Sequence, residues 1–123
     1  NAACLSNGAY LLYGGLNHRY KQVPIDLSWP QARDACAADG AYLAIPNDAT
    51  EAALLDGDWM GLTDDITEGQ WLTVRGEPAP FLPWGAGEPT GGMTENCARL
   101  DDNTDLLEAR SCADARDYIC ECE

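Results

Sequence analysis

A chain of 123 residues can bury one hydrophobic core but not two, so a single domain over 1–123 is expected. Apolar residues at 46%, with four Trp and five Tyr among them, exclude a disordered chain. A formal net charge of -14 repels phosphate backbones and anionic headgroups, which argues against nucleic acid as a partner.

Leu11–Tyr13 and Tyr20–Val23 are short runs rich in Leu, Val and aromatic residues, separated by Gly14, Gly15 and Asn17, and predict a terminal strand pair. His18, the only histidine, falls beside that turn without a Cys, Ser or Asp neighbour, and reads as an exposed turn residue. Ser28 with Gln31 forms a capping box, Pro30 is tolerated in a first turn, and Gly40 can close the helix, so a helix is predicted over Trp29–Asp39. Trp29, Ala32, Ala35 and Cys36 fall on its inward face. Asp48 with Glu51 suggests a second box and a shorter helix ending near Gly57, with Ala52 and Leu55 buried. From Thr63 to Asn96 the texture changes to Gly, Pro, Thr, Asp and Glu. A loop region of that length in a small domain is where binding is to be sought. Strands resume at Cys97–Leu100 and Asp117–Cys120, and the order of elements predicts an α+β fold with an antiparallel sheet.

Six cysteines without CxxC or Cys/His zinc spacing indicate a disulfide framework and therefore a secreted or extracellular domain, with 15 connectivities open. The sequence begins at Asn1 without Met, as expected if a signal segment has been removed or the domain is cut from a larger protein. No run approaches the roughly 18 to 20 apolar residues of a membrane span, so no membrane insertion is expected. No N-x-Ser/Thr acceptor is present.

Trp59-Met60-Gly61-Leu62 resembles the WIGL signature of C-type lectin domains. Asp64 to Trp71, Trp84, Gly87-Glu88-Pro89-Thr90, Glu95-Asn96-Cys97 and Tyr118-Ile119-Cys120-Glu121 then follow in that family's order and spacing. From Trp29 onward the chain is most similar to the mannose-binding collectin type of carbohydrate-recognition domain. The resemblance implies Cys36–Cys120 and Cys97–Cys112 bridges, and side-by-side termini that leave Cys4 to pair with Cys122. In the loop-entropy description, closures this long contribute about 3 to 5 kcal/mol each.

The resemblance also implies a Ca²⁺ site. A hard cation takes six to eight oxygens, and Glu88, Thr90 and Glu95 place oxygen-bearing side chains within eight residues. In the family, a Glu-Pro-Asn triplet with a cis proline coordinates Ca²⁺ and bonds two vicinal sugar hydroxyls. Glu88 and Pro89 match it; Thr90 departs, offering a hydroxyl where the family has an amide. Where the family has Trp-Asn-Asp, this chain has Leu107-Glu108-Ala109, so Glu108 keeps a carboxylate and Ala109 loses one. An auxiliary collectin calcium position corresponds to Asp64, Glu68 and Asn96, with Gly91 near the place of a further Asp. Trp71 and Trp84 are read as core beneath the loops.

These residues predict Ca²⁺-dependent binding of a glycan or glycoprotein through Glu88, Thr90, Glu95 and Glu108, with Asn96, Asp64 and Glu68 as further metal ligands. The alternative is a calcium-independent protein-interaction domain, motivated by Thr90 and Ala109. Nothing shows the regularly spaced Thr surface that ice binding would want. Glu88 and Glu95 could pair for glycoside hydrolysis, but a calcium-type motif without a catalytic His or Cys arrangement argues against an enzyme.

Overall fold

In a computed structural model, which describes residues 3–55 and 57–123, the terminal hairpin forms where the sequence predicts it. Asn1, Ala2 and Asp56 lie outside the described residues. Strand β1 (Leu11–Leu12) pairs antiparallel with β2 (Arg19–Leu27), Leu11 opposite Tyr20. β2 continues past Val23 through Pro24, and its ladder with the last strand is irregular between Val23 and Leu27. Pro24 has no N–H to donate, which fits its place in that break. His18 is not the exposed turn residue expected. Its ring is only one-third exposed, with Nδ1 against the Glu121 carboxylate and Nε2 3.4 Å from Glu123. The sequence gap of 103 residues between His18 and Glu121 hid that pairing.

Helix α1 (Trp29–Ala38) begins with the reciprocal capping box, the Gln31 N–H donating to Ser28 Oγ and the Ser28 N–H to Gln31 Oε1. Asp39 caps its end, and Trp29, Ala32 and Cys36 are buried. Helix α2 (Ala49–Leu54) has only half of its expected box: the Glu51 N–H donates to Asp48, but the Glu51 carboxylate does not return the bond. It turns inward instead, accepting from Asn47 N–H at 2.8 Å and from the Tyr20 hydroxyl. The helix stops at Leu54, short of Gly57, because Leu55 becomes extended (φ -83, ψ 128) and is buried in the core.

The remaining strands are β3 (Tyr42–Leu43), β4 (Trp59–Thr63), β5 (Leu72–Thr73), β6 (Cys97–Asp101), β7 (Leu106–Arg110) and β8 (Arg116–Cys122). They order as β1-β2-β8-β4-β6-β7, with β3 added to β8 and β5 to β4. The sheet is mixed and not wholly antiparallel, since β4 meets β8 in parallel at Trp59 and Tyr118.

The Trp59–Leu62 signature lies on β4, every residue of which is buried. Trp59 Nε1 donates to Leu27 O at 2.9 Å, and Trp29 Nε1 to Met60 O at 2.8 Å, so two indoles stitch β4 to the first half of the chain. Cys36–Cys120 ties α1 to β8, Cys4–Cys122 joins the two ends, and Cys97–Cys112 spans the base of the β6–β7 hairpin. Trp71 is buried and Trp84 half-buried beneath the loops, in an edge-on pair at 4.8 Å between ring centres. Among the described residues no helix is long and apolar enough to cross a membrane.

Candidate functional site

The stretch between β5 and β6 is fastened to β7 by backbone bonds, Gly85 N–H to Leu107 O at 2.9 Å and Leu107 N–H to Pro83 O at 2.8 Å. That anchoring brings Glu88 over the middle of β7. The Glu88–Pro89 bond is cis. Glu88 Oε1 accepts from Ala109 N–H at 2.9 Å and from Thr90 N–H at 3.2 Å. Thr90 Oγ1 stands 2.8 Å from Glu95 Oε1 and 3.3 Å from Glu88 Oε1, and its one proton belongs on the shorter contact. Glu88, Thr90 and Glu95 therefore do converge.

Glu108 is held differently. β6 and β7 pair with Arg99 opposite Glu108, and the Arg99 guanidinium reaches Glu108 at 2.7 Å. Arg110, two residues further on the same face of β7, bonds Glu108 at 2.9 Å and Glu88 at 3.1 Å. Burial of Glu88 opposes its ionisation, yet the Ala109 N–H and the Arg110 guanidinium outweigh it and hold the carboxyl below the usual range. Arg110 was not singled out in the sequence. Its alternation with Glu108 is visible there, but the partner at Glu88 lies 22 residues away.

Asp64, Glu68 and Asn96 form a second group. Asp64 is buried, follows β4 directly, and donates its N–H to Asn96 O at 3.1 Å. Its Oδ2 accepts from Gly69 N–H at 2.9 Å. Asp64 Oδ1 and Asn96 Oδ1 are both buried and have no hydrogen-bond donor. Slight desolvation and the adjoining Asp64 carboxylate push the Glu68 carboxyl up.

The match to a family model described as the lectin C-type domain runs over residues 25–122. The chain belongs to the C-type lectin domain family. C-type lectin domain family 3 member A of Mus musculus is 28% identical over 124 residues, covering 91% of this chain, which spans only 58% of that relative's length. In solved structures the fold is shared with the mouse scavenger receptor C-type lectin carbohydrate-recognition domain (22% identity, TM-score 0.83, 95% of both chains covered). It is shared equally with a calcium-independent type II antifreeze protein (19% identity, TM-score 0.82, 93% of this chain and 91% of that one).

Since the family often binds Ca²⁺ and also has calcium-independent members, the donor sets decide how well this C-type lectin domain suits the ion. Among the described residues no three His, Cys, Asp or Glu side chains are grouped to hold a metal. Both oxygens of Glu88 and Oε1 of Glu108 are engaged by N–H donors, two of them from Arg110, so a cation bridging the two carboxylates there would have to displace a guanidinium. At Asp64, Glu68 and Asn96 the chemistry is the reverse. Two buried oxygens without a donor are costly in the absence of a positive partner and suit a hard cation.

Proposed function

We propose that this domain binds a glycan or glycoprotein ligand outside the cell on the loop surface formed by Glu88, Thr90 and Glu95, and that a calcium ion at Asp64, Glu68 and Asn96 supports that surface. The observation that carries the calcium reading is the pair of buried, donorless oxygens Asp64 Oδ1 and Asn96 Oδ1 beside the Glu68 carboxylate. Asn96 Nδ2 donates to Met93 O at 3.0 Å, so an ion held by Asn96 Oδ1 would brace the short turn at Gly92–Thr94 that leads into Glu95. A carboxylate and a hydroxyl at one exposed point suit the hydroxyls of a sugar. The acidic surface and three disulfides support an extracellular setting, and the role is binding without turnover.

A ligand that binds only the native state raises the melting temperature. Calcium is expected to raise the Tm reversibly, chelator to lower it, and glycan-screen signals to follow the ion. A Tm indifferent to Ca²⁺ would sink the calcium reading. The second reading, a calcium-independent protein-interaction domain, is favoured by the Arg110 contacts to Glu88 and Glu108. It predicts binding partners unaffected by chelation.

A further inference from the structure

The contacts of Arg110 reach beyond a choice between these readings. Its guanidinium lies between two carboxylates supplied by different parts of the chain, Glu88 from the loop and Glu108 from β7, and Nη1 also donates to Ala109 O at 2.6 Å. Glu88 is the more buried, with 11% of its side chain exposed, and Arg110 keeps 27%. Pairs at that depth are screened less by solvent than surface pairs are, so the charge compensation is substantial.

Arg110 is also braced from behind. Glu108 is shared with Arg99, Arg99 with Asp58 at 3.0 Å, Asp58 with Arg116 at 3.4 Å, and Arg116 with Asp114 at 3.2 Å. A chain of alternating charges thus runs from the start of β8 through Asp58, the residue before β4, to β6 and β7, and ends on Glu88. If Arg110 swung away to admit a metal, Glu88 would lose one donor and Glu108 another at once. Ala109 N–H already points at Glu88 Oε1, an arrangement that favours an anion held by fixed donors over a metal ligand.

We propose that Arg110 is the resident cation of the loop surface: Glu88, Thr90, Glu95 and Glu108 are held together without a metal, and the domain takes up one calcium ion, at Asp64, Glu68 and Asn96, and not two. This rests on the preceding reading only for the location of the one ion. Ligand contacts on the loop surface are then direct hydrogen bonds to the Glu95 carboxylate and the Thr90 hydroxyl, and calcium acts on them through loop order alone.

Calorimetric titration of the full chain with CaCl₂ as the only probe tests the proposal. Wild type is expected to bind one ion, Glu88→Gln and Glu95→Gln to bind it with affinity within about twofold, and Asp64→Asn to lose roughly tenfold or more. Arg110→Val should expose Glu88 and Glu108 and add a second, weaker binding event, whereas Arg110→Lys should not. Two ions in the wild type, or a roughly tenfold loss in Glu88→Gln, overturns the proposal; so does an Arg110→Val protein that still takes up only one. If Arg110→Val does not fold, the two glutamine variants decide. Wild type that binds no ion overturns the calcium reading above, and with it the count of one, while a loss on Glu88→Gln overturns the role of Arg110, so the two failures are distinguishable.

Discussion

Gly61 and Gly91 resist a side chain for different reasons. A Cβ on Gly61 would stand 2.4 Å from the Leu43 carbonyl oxygen, and the strand there is pinned by Gly61 N–H to Ala44 O at 2.8 Å and Val74 N–H to Gly61 O at 2.9 Å. Backbone cannot step aside, so Gly61→Ala is expected to cost about 3 kcal/mol by overpacking, read as a lower urea midpoint at unchanged slope. A Cβ on Gly91 would meet only the Glu95 side chain, at 2.2 Å from Oε1, and the backbone there is left-handed (φ +81). Glu95 can rotate, so Gly91→Ala should cost about 1 kcal/mol, mainly from that φ. The effect on the site is larger than the effect on the fold. The Thr90–Glu95 contact should be lost in the variant's crystal structure, with ligand binding weakened and the Tm lowered by only about 3 to 6 °C.

At the scale of elements, α2 matters less for its length than for the carboxylate it buries. Glu51 accepts from Asn47 N–H, Asn47 Nδ2 and the Tyr20 hydroxyl, joining the helix to the first hairpin. Glu51→Ala leaves the buried Tyr20 hydroxyl and two Asn47 N–H donors without their acceptor and should destabilise by about 2 to 3 kcal/mol. Glu51→Asp, which keeps the charge but shortens the reach, should recover part of it, and denaturant melts of both variants check the order. The half-formed capping box shows how far local pattern carries. Asp48 and Ser28 act on their own first turns and were legible, as were the hairpin, α1 and the strand that begins at Cys97. β4 was recognised as a family signature and not as a strand, because it is buried on both faces and shows no period-2 alternation. β7 was missed because its buried positions are only Leu107 and Ala109, with Glu108 and Arg110 between and after them. The oxygen-bearing residues of the loop could be picked out as a set, but not the arginine that neutralises them. That role exists only once Glu88 and β7 are side by side.

At the scale of the whole molecule, the ends of the chain are held together by Cys4–Cys122, a closure of 118 residues, and by the His18–Glu121 contact next to it. Around this junction Tyr10 and Tyr20 are buried and Tyr42 half-buried, each near carboxylates. Tyr10 donates to Asp39 at 2.8 Å, Tyr20 donates to Glu51, and Tyr42 lies in the field of Glu121. Burial first, and these acidic neighbours second, push the phenols of Tyr10, Tyr20 and Tyr42 well above their ordinary value of 10.0. Above pH 10 the unfolded chain releases phenolic protons that the folded domain retains, so the folded state binds more protons and stability falls as pH rises. Their contribution is complete below pH 10 and is lost progressively as the pH climbs through the raised values. Denaturant melts across the alkaline range should therefore show a falling midpoint, and the tyrosinate absorbance of Tyr10, Tyr20 and Tyr42 should appear together with unfolding and not ahead of it. Tyr20→Phe removes one of these protons but leaves Glu51 Oε2 without its donor, so it should be less stable near neutrality while showing a shallower alkaline decline. A variant that declined as steeply as wild type would show that Tyr20 ionises freely in the native domain.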